Sequence, residues 1–225
     1  MPYASTPKHH VSFRRRLLGW FRRSARDLPW RRTRDPYAVV VSEFMLQQTQ
    51  VARVLEFYEP FLRRYPTFHR LAQARPKAVR ESWDGLGYYR RAANLHRLAR
   101  VVVQDLGGVL PRDPAALIGL PGIGPYTAGA VACFAYEQPT ATVDTNVARV
   151  LLRFFGRRGG TGALRQLALR IQPRSGRVAW AFNQAMMELG ALVCTARSPK
   201  CGDCPVRRDC AFATASRRRS RATPG

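Results

Sequence analysis

Four cysteines, Cys194, Cys201, Cys204 and Cys210, follow one another in a C-x6-C-x2-C-x5-C run. A run this compact must close as one loop around whatever its thiols share, so it constrains the local fold more than any other stretch. Structural zinc usually takes two separated C-x2-C pairs, and only one such pair occurs here. A disulfide framework fits poorly, because nothing resembling a signal peptide opens the chain and Cys133 would be left over. Four thiolates in one loop can also hold a [4Fe–4S] cluster. On spacing alone, cluster, zinc and no metal all stay open. Cys133, in an Ala-rich apolar stretch, reads as a small buried hydrophobe.

The chain carries 38 Lys and Arg against 14 Asp and Glu, a formal net charge of +24. Self-repulsion of this size is most easily tolerated when phosphates neutralise it, which makes nucleic acid the leading partner. A compositional bias toward Arg explains the Arg-to-Lys ratio but not the scarcity of acids. With 46% hydrophobic residues the chain can bury one generous core or two modest ones. No apolar run approaches the length of a membrane span. The expectation is a monomer of the cytoplasm, associated with the nucleoid in a prokaryote.

Helical periodicity runs almost throughout, and no stretch alternates apolar and polar residues long enough to argue a sheet. Asp35-Pro36 and Asp113-Pro114 each place an N-cap before a proline suited to the first helical position. Val54, Tyr58, Phe61 and Leu62 share one helical face; so do Val147, Val150, Leu151 and Phe154. These stripes read as core. Residues 1–12 and 216–225 read as flexible termini, the latter basic. Without an internal repeat or long linker, the chain is expected to be all-α with two closely packed lobes.

Leu120-Pro121-Gly122-Ile123-Gly124 sits between a short helix from Pro114 and a small-residue helix from Pro125, a helix-hairpin-helix. Gly122 and Gly124 let the backbone approach a phosphate, and the opening N–H groups of the second helix point at the anion. Such contacts hold DNA without reading its sequence. Downstream, Asp144 precedes an apolar-periodic helix and reads as its N-cap, which would keep it anionic and suited to stabilising a developing cation. Glu43 has Val39, Val40, Leu46 and Gln47 as helical neighbours, so its charged form is disfavoured and it suits a proton donor. An acid and an anion of this kind cleave glycosidic bonds.

Hairpin, downstream Asp and trailing cysteine loop occur in the order of the helix-hairpin-helix DNA glycosylases, which the chain resembles from about Arg14 to Cys210. Within that superfamily it is most similar to the MutY-like adenine glycosylases. The specific stretches are Leu28-Pro29-Trp30-Arg31, Ser42-Glu43-Phe44-Met45-Leu46-Gln47-Gln48-Thr49-Gln50-Val51 and Gly85-Leu86-Gly87-Tyr88-Tyr89-Arg90-Arg91-Ala92. The resemblance implies a two-lobed fold with a six-helix barrel lobe at 29–137, a cluster lobe at 13–28 plus 138–215, and a [4Fe–4S] cluster on Cys194, Cys201, Cys204 and Cys210. It implies that Glu43 protonates adenine, Asp144 stabilises the oxocarbenium-like sugar, and Tyr126 and Asn146 are hydrogen-bonding partners. Arg26, Trp30, Arg31, Leu46 and Glu188 match the adenine pocket, for which core packing of Trp30 and Leu46 is the plain alternative. Gln48 and Tyr88 match residues that enter the duplex. The hairpin glycines, with Arg197, Lys200, Arg207 and Arg208 near the cluster, would grip double-stranded DNA containing a mismatch. Bifunctional relatives carry lysine at the position of Tyr126, so no strand cleavage is expected.

Set against the family pattern, the chain is expected to lack the usual C-terminal 8-oxoguanine-sensing domain, and it has Thr145 where glycine is frequent. Chain length favours a second reading, a G·T/G·U-specific thymine/uracil glycosylase; the Gln48 and Tyr88 segments favour adenine. A non-catalytic DNA-binding module is a third, which predicts damaged carboxylates, whereas Glu43 and Asp144 are both present.

Overall fold

The computed structural model describes residues 6–157 and 159–222. Among them all regular structure is helical. In chain order come α1 (Pro7–Ser24), a 3₁₀ turn (Pro29–Arg31), α2 (Pro36–Leu46), α3 (Val51–Arg64), α4 (Phe68–Ala72), α5 (Pro76–Glu81) and α6 (Arg90–Asp105). There follow α7 (Pro114–Leu117), α8 (Pro125–Phe134), α9 (Thr145–Phe155), α10 (Thr161–Ile171), α11 (Gly176–Leu192) and α12 (Ala211–Ala222). None is long and apolar enough to cross a membrane. Asp35 accepts from the Tyr37 and Ala38 amides and Asp113 from Ala115, so both Asp-Pro pairs cap helices. The chain divides into two compact units, Asp27–Glu137 and Met1–Arg26 with Gln138–Gly225.

In the unit of 27–137, α2 is buried at every residue from Tyr37 to Met45 and packs against α3, α6 and α8. A helix apolar all round belongs at the centre of its lobe. Small residues on α8 let it approach closely: Thr127 to Phe134 are all buried, Cys133 among them. Tyr37 donates to the Tyr65 carbonyl and Tyr58 to that of Ala38, fastening α2 to α3.

The second unit closes around three helices. Phe13, Leu17 and Phe21 recur every fourth residue on α1 and meet Val147, Val150, Leu151 and Phe154 of α9 and Phe182, Met186 and Leu189 of α11. The Phe13 ring lies 4.4 Å from that of Phe154 and 6.1 Å from that of Phe182. Each such side chain contributes about 1.5–3 kcal/mol on burial.

Two expectations need correction. Residues 7–12 are helical rather than frayed, because the α1 stripe anchors the helix they begin. The helix α12 extends to Ala222, its base fixed by buried Cys210 and Ala213; 1–5 and 223–225 lie outside the described residues. Asp27 and Leu28 fall with the following unit, not with 13–28.

Candidate functional site

Glu43 stands in the last full turn of α2 and is 7% exposed, with Val39, Val40, Phe44 and Met45 buried around it. The helix ends at Leu46, so Gln47 is its cap rather than a helical neighbour of Glu43; Leu46 and Gln47 are half-buried. Trp30 is buried and packs edge-on against Tyr58 at 5.4 Å, and Arg31 beside it is half-buried. Gln48 and Tyr88 are exposed, and both hold positive φ, 56° and 50°. Only three non-glycine residues do so among those described, the third being Glu137.

The hairpin runs from α7 into α8, with Tyr126 half-buried in the first turn of α8. Gly122 has φ +76°, and a Cβ there would lie 2.7 Å from the Phe44 ring and 2.9 Å from the Asn94 Cβ. The turn thus nests on the residue next to Glu43. Gly122→Ala should cost about 1–3 kcal/mol, read as a lower midpoint in urea unfolding. Gly124 differs: its backbone is extended and a Cβ would meet nothing within 4 Å. No intramolecular contact demands glycine there, which leaves room for an approaching ligand.

In the other unit Asp144 caps α9, its Oδ1 accepting from the Val147 amide at 2.7 Å and its Oδ2 from Asn146 Nδ2 at 3.2 Å. Asn146 Oδ1 accepts in turn from Arg149 Nη2 at 2.6 Å. Arg149 also donates to the carbonyls of Cys194 at 2.7 Å and Gly190 at 2.8 Å. Gly190 is tightly placed, since a Cβ would come within 2.6 Å of that of Asn146. Asp144 is therefore tied through two side chains to the first cysteine of the loop. Arg26 and Glu188 are brought together: Glu188 is fully buried and takes the Arg26 amide, Nε and Nη2 at 2.8–2.9 Å. This fork raises the Arg26 pKa.

Sequence reasoning missed Arg149 and Arg153. They lie four apart on α9, and Arg153 donates to the Thr195 and Ala196 carbonyls and lies over the Phe212 ring. The spacing was the available signal, masked by the abundance of arginine.

Cys194, Cys201, Cys204 and Cys210 line one cavity with Val193, Pro199 and Phe212, beside Arg153, Lys200 and Arg207. No group of three or more His, Cys, Asp or Glu among the described residues converges tightly enough for a single metal ion. Four thiols lining one cavity are the donor set that would hold an iron–sulfur cluster. Burial pushes the Cys204 thiol up to about 11 and Cys210 in the same direction, so ligation must displace protons, and the three cations offset the charge created. A bound cluster supplies a rigid tie among four points of the loop. Arg197, Lys200, Arg207 and Arg208 are all exposed around it.

A helix-hairpin-helix with a downstream capped aspartate and a four-thiolate cage defines a cluster-bearing DNA-repair fold. Residues 41–172 match the family described as HhH-GPD superfamily base excision DNA repair protein, and 194–210 match the iron–sulfur binding domain of endonuclease III. The chain belongs to the HhH-GPD superfamily, and its cofactor is a [4Fe–4S] cluster. An adenine DNA glycosylase of Mycobacterium tuberculosis is 47% identical over 91% of this chain and 68% of its own length. A thymine/uracil-DNA glycosylase of Methanothermobacter thermautotrophicus is 34% identical over 92% of this chain and 96% of its own. The solved structure of a thermostable thymine-DNA glycosylase superposes with a TM-score of 0.87 at 34% identity, covering 92% of this chain and 98% of that one. The chain thus spans about two thirds of the mycobacterial relative and nearly all of the archaeal one.

Proposed function

We propose that this protein is a monofunctional DNA glycosylase that hydrolyses the N-glycosidic bond of adenine mispaired with guanine or 8-oxoguanine, acting as a monomer on double-stranded DNA. Glu43, on the apolar α2, donates a proton to the extruded adenine and turns it into a neutral leaving group. Asp144 holds a negative charge for the sugar cation, and water then adds with Glu43 as base. Tyr126 and Asn146 hydrogen-bond around the reacting sugar, and a tyrosine at 126 has no amine for a Schiff base, so the strand stays intact. Arg26, Trp30, Arg31, Leu46 and Glu188 are the residues assigned to the adenine, and the fork between Arg26 and Glu188 holds two of them in fixed rotamers. Gln48 and Tyr88 fill the gap left in the duplex, while the hairpin at Gly122 and Gly124, with Lys200 and Arg207, holds phosphates. The net charge of +24 suits work on chromosomal DNA in a prokaryotic cytoplasm.

What carries the choice of base is the higher identity to an adenine glycosylase, 47% against 34% for the thymine/uracil enzyme. The superposition on a thermostable thymine-DNA glycosylase, with a TM-score of 0.87 at 34% identity, supports the second reading, thymine or uracil release from G·T and G·U pairs. Single-turnover base release from otherwise identical duplexes carrying A·8-oxoG, A·G, T·G or U·G decides between them. Adenine release is expected from the first two; thymine or uracil release without adenine would defeat the assignment. Release of no base from any of the four would leave a binding module.

A further inference from the structure

Arg91, in the first turn of α6, is 7% exposed, and none of its hydrogen-bond partners among the described residues is a carboxylate. Its Nη1 donates to the carbonyls of Phe44 at 3.1 Å, Met45 at 2.7 Å and Gln47, and its Nη2 to those of Leu86 at 3.1 Å and Gly87 at 3.0 Å. The first three end α2, where carbonyls lack helical partners and the dipole favours a cation. The last two belong to the turn before α6. One planar guanidinium therefore joins two backbone segments far apart in sequence.

Directly after each joined segment comes a residue in the left-handed region. Gln48 at φ 56° follows Gln47, and Tyr88 at φ 50° follows Gly87, so Arg91 fixes the carbonyl of the peptide preceding each strained residue. The Arg91 guanidinium carbon also lies over the Tyr88 ring, 5.4 Å from the ring centroid, while Tyr88 stays 60% exposed. A buried cation without a counter-ion is costly, and the Arg91 Nε meets no acceptor. An apolar side chain would fill the same space at less penalty. What arginine alone offers is a flat fork that reaches several carbonyls at once.

We propose that Arg91 is a positioning residue that locks the peptides before Gln48 and Tyr88 into one unit, so that the two side chains go into the duplex together rather than independently. This rests on the reading, given above, that both act within the duplex.

The test is a mutant cycle: Gln48→Ala, Tyr88→Ala and the double variant, each with native Arg91 and with Arg91→Lys, which keeps the cation but cannot span both segments. With native Arg91, either alanine alone should lower mismatch affinity on the order of tenfold and the pair hardly more. With Arg91→Lys the two losses should become smaller and multiply. Affinity for matched duplex, carried by phosphate contacts, should stay within about twofold throughout, which general loss of structure would not allow. The same non-additivity in both backgrounds overturns the proposal alone. No effect of either alanine with native Arg91 overturns it together with the reading beneath it. Should Arg91→Lys fail to unfold cooperatively, protein with native Arg91 and fluorotyrosine at position 88 decides. There Gln48→Gly shifts the fluorine resonance if the turns are coupled, and an unmoved resonance overturns the coupling.

Discussion

Replacing Glu43 with glutamine is expected to slow single-turnover base release by about 10²–10⁴-fold, the range a positioned proton donor supplies. The swap keeps the shape of a side chain that is 7% exposed, so duplex affinity should stay within about threefold, held by phosphate contacts. Asp144→Asn should cost a similar amount for a different reason. An asparagine can still accept from the Val147 amide, so α9 keeps its cap, but the negative charge is gone and its amide would face the donor of Asn146. Rates from rapid-quench base-release assays, set beside affinities for the same duplexes, separate the two contributions. Equal losses in rate and affinity would assign both carboxylates to structure.

Arg149→Met should give the second large effect. It removes charge-assisted donors to Asn146, Cys194 and Gly190 at once, each worth about 1.5–3 kcal/mol. The Asn146 amide then loses its anchor and Asp144 its second hydrogen-bond partner, while the start of the cysteine loop comes free. The expected result is at least about a tenfold slower base release together with a lower iron content per chain. Visible absorbance of the purified protein, measured alongside the rate, reads both ends of the link. A variant with native iron content and native rate would show that the three hydrogen bonds transmit nothing.

Local features were legible in the sequence and long-range ones were not. The Asp-Pro caps, the hairpin and the N-cap role of Asp144 depend on residues within a turn of one another, so spacing suffices to read them. The stripe Val147, Val150, Leu151, Phe154 was equally plain, and all four residues are core. By contrast, Lys8, His9 and His10 made the first residues look frayed, although Phe13 lies just beyond and anchors their helix. Arg91, Arg149 and Arg153 were hidden for another reason. Among 38 basic residues any one arginine reads as a polyanion contact, and the carbonyls these three bind lie in distant segments. The Arg26–Glu188 fork was likewise out of reach, because the two residues were assigned to the same pocket without any sign that they bond each other. Which guanidinium fixes which backbone depends on contacts between segments that no local spacing records.

The first helix belongs to a lobe whose other members are all encoded after position 137. During translation Phe13, Leu17 and Phe21 must leave the ribosome long before Phe182 exists to cover them. The contiguous stretch 27–137 can mature co-translationally, while the amphipathic leader waits as an exposed, aggregation-prone hydrophobic surface. Iron loading is later still, for its last thiolate, Cys210, is translated after α9 and α11, the helices that pack around the cysteine loop.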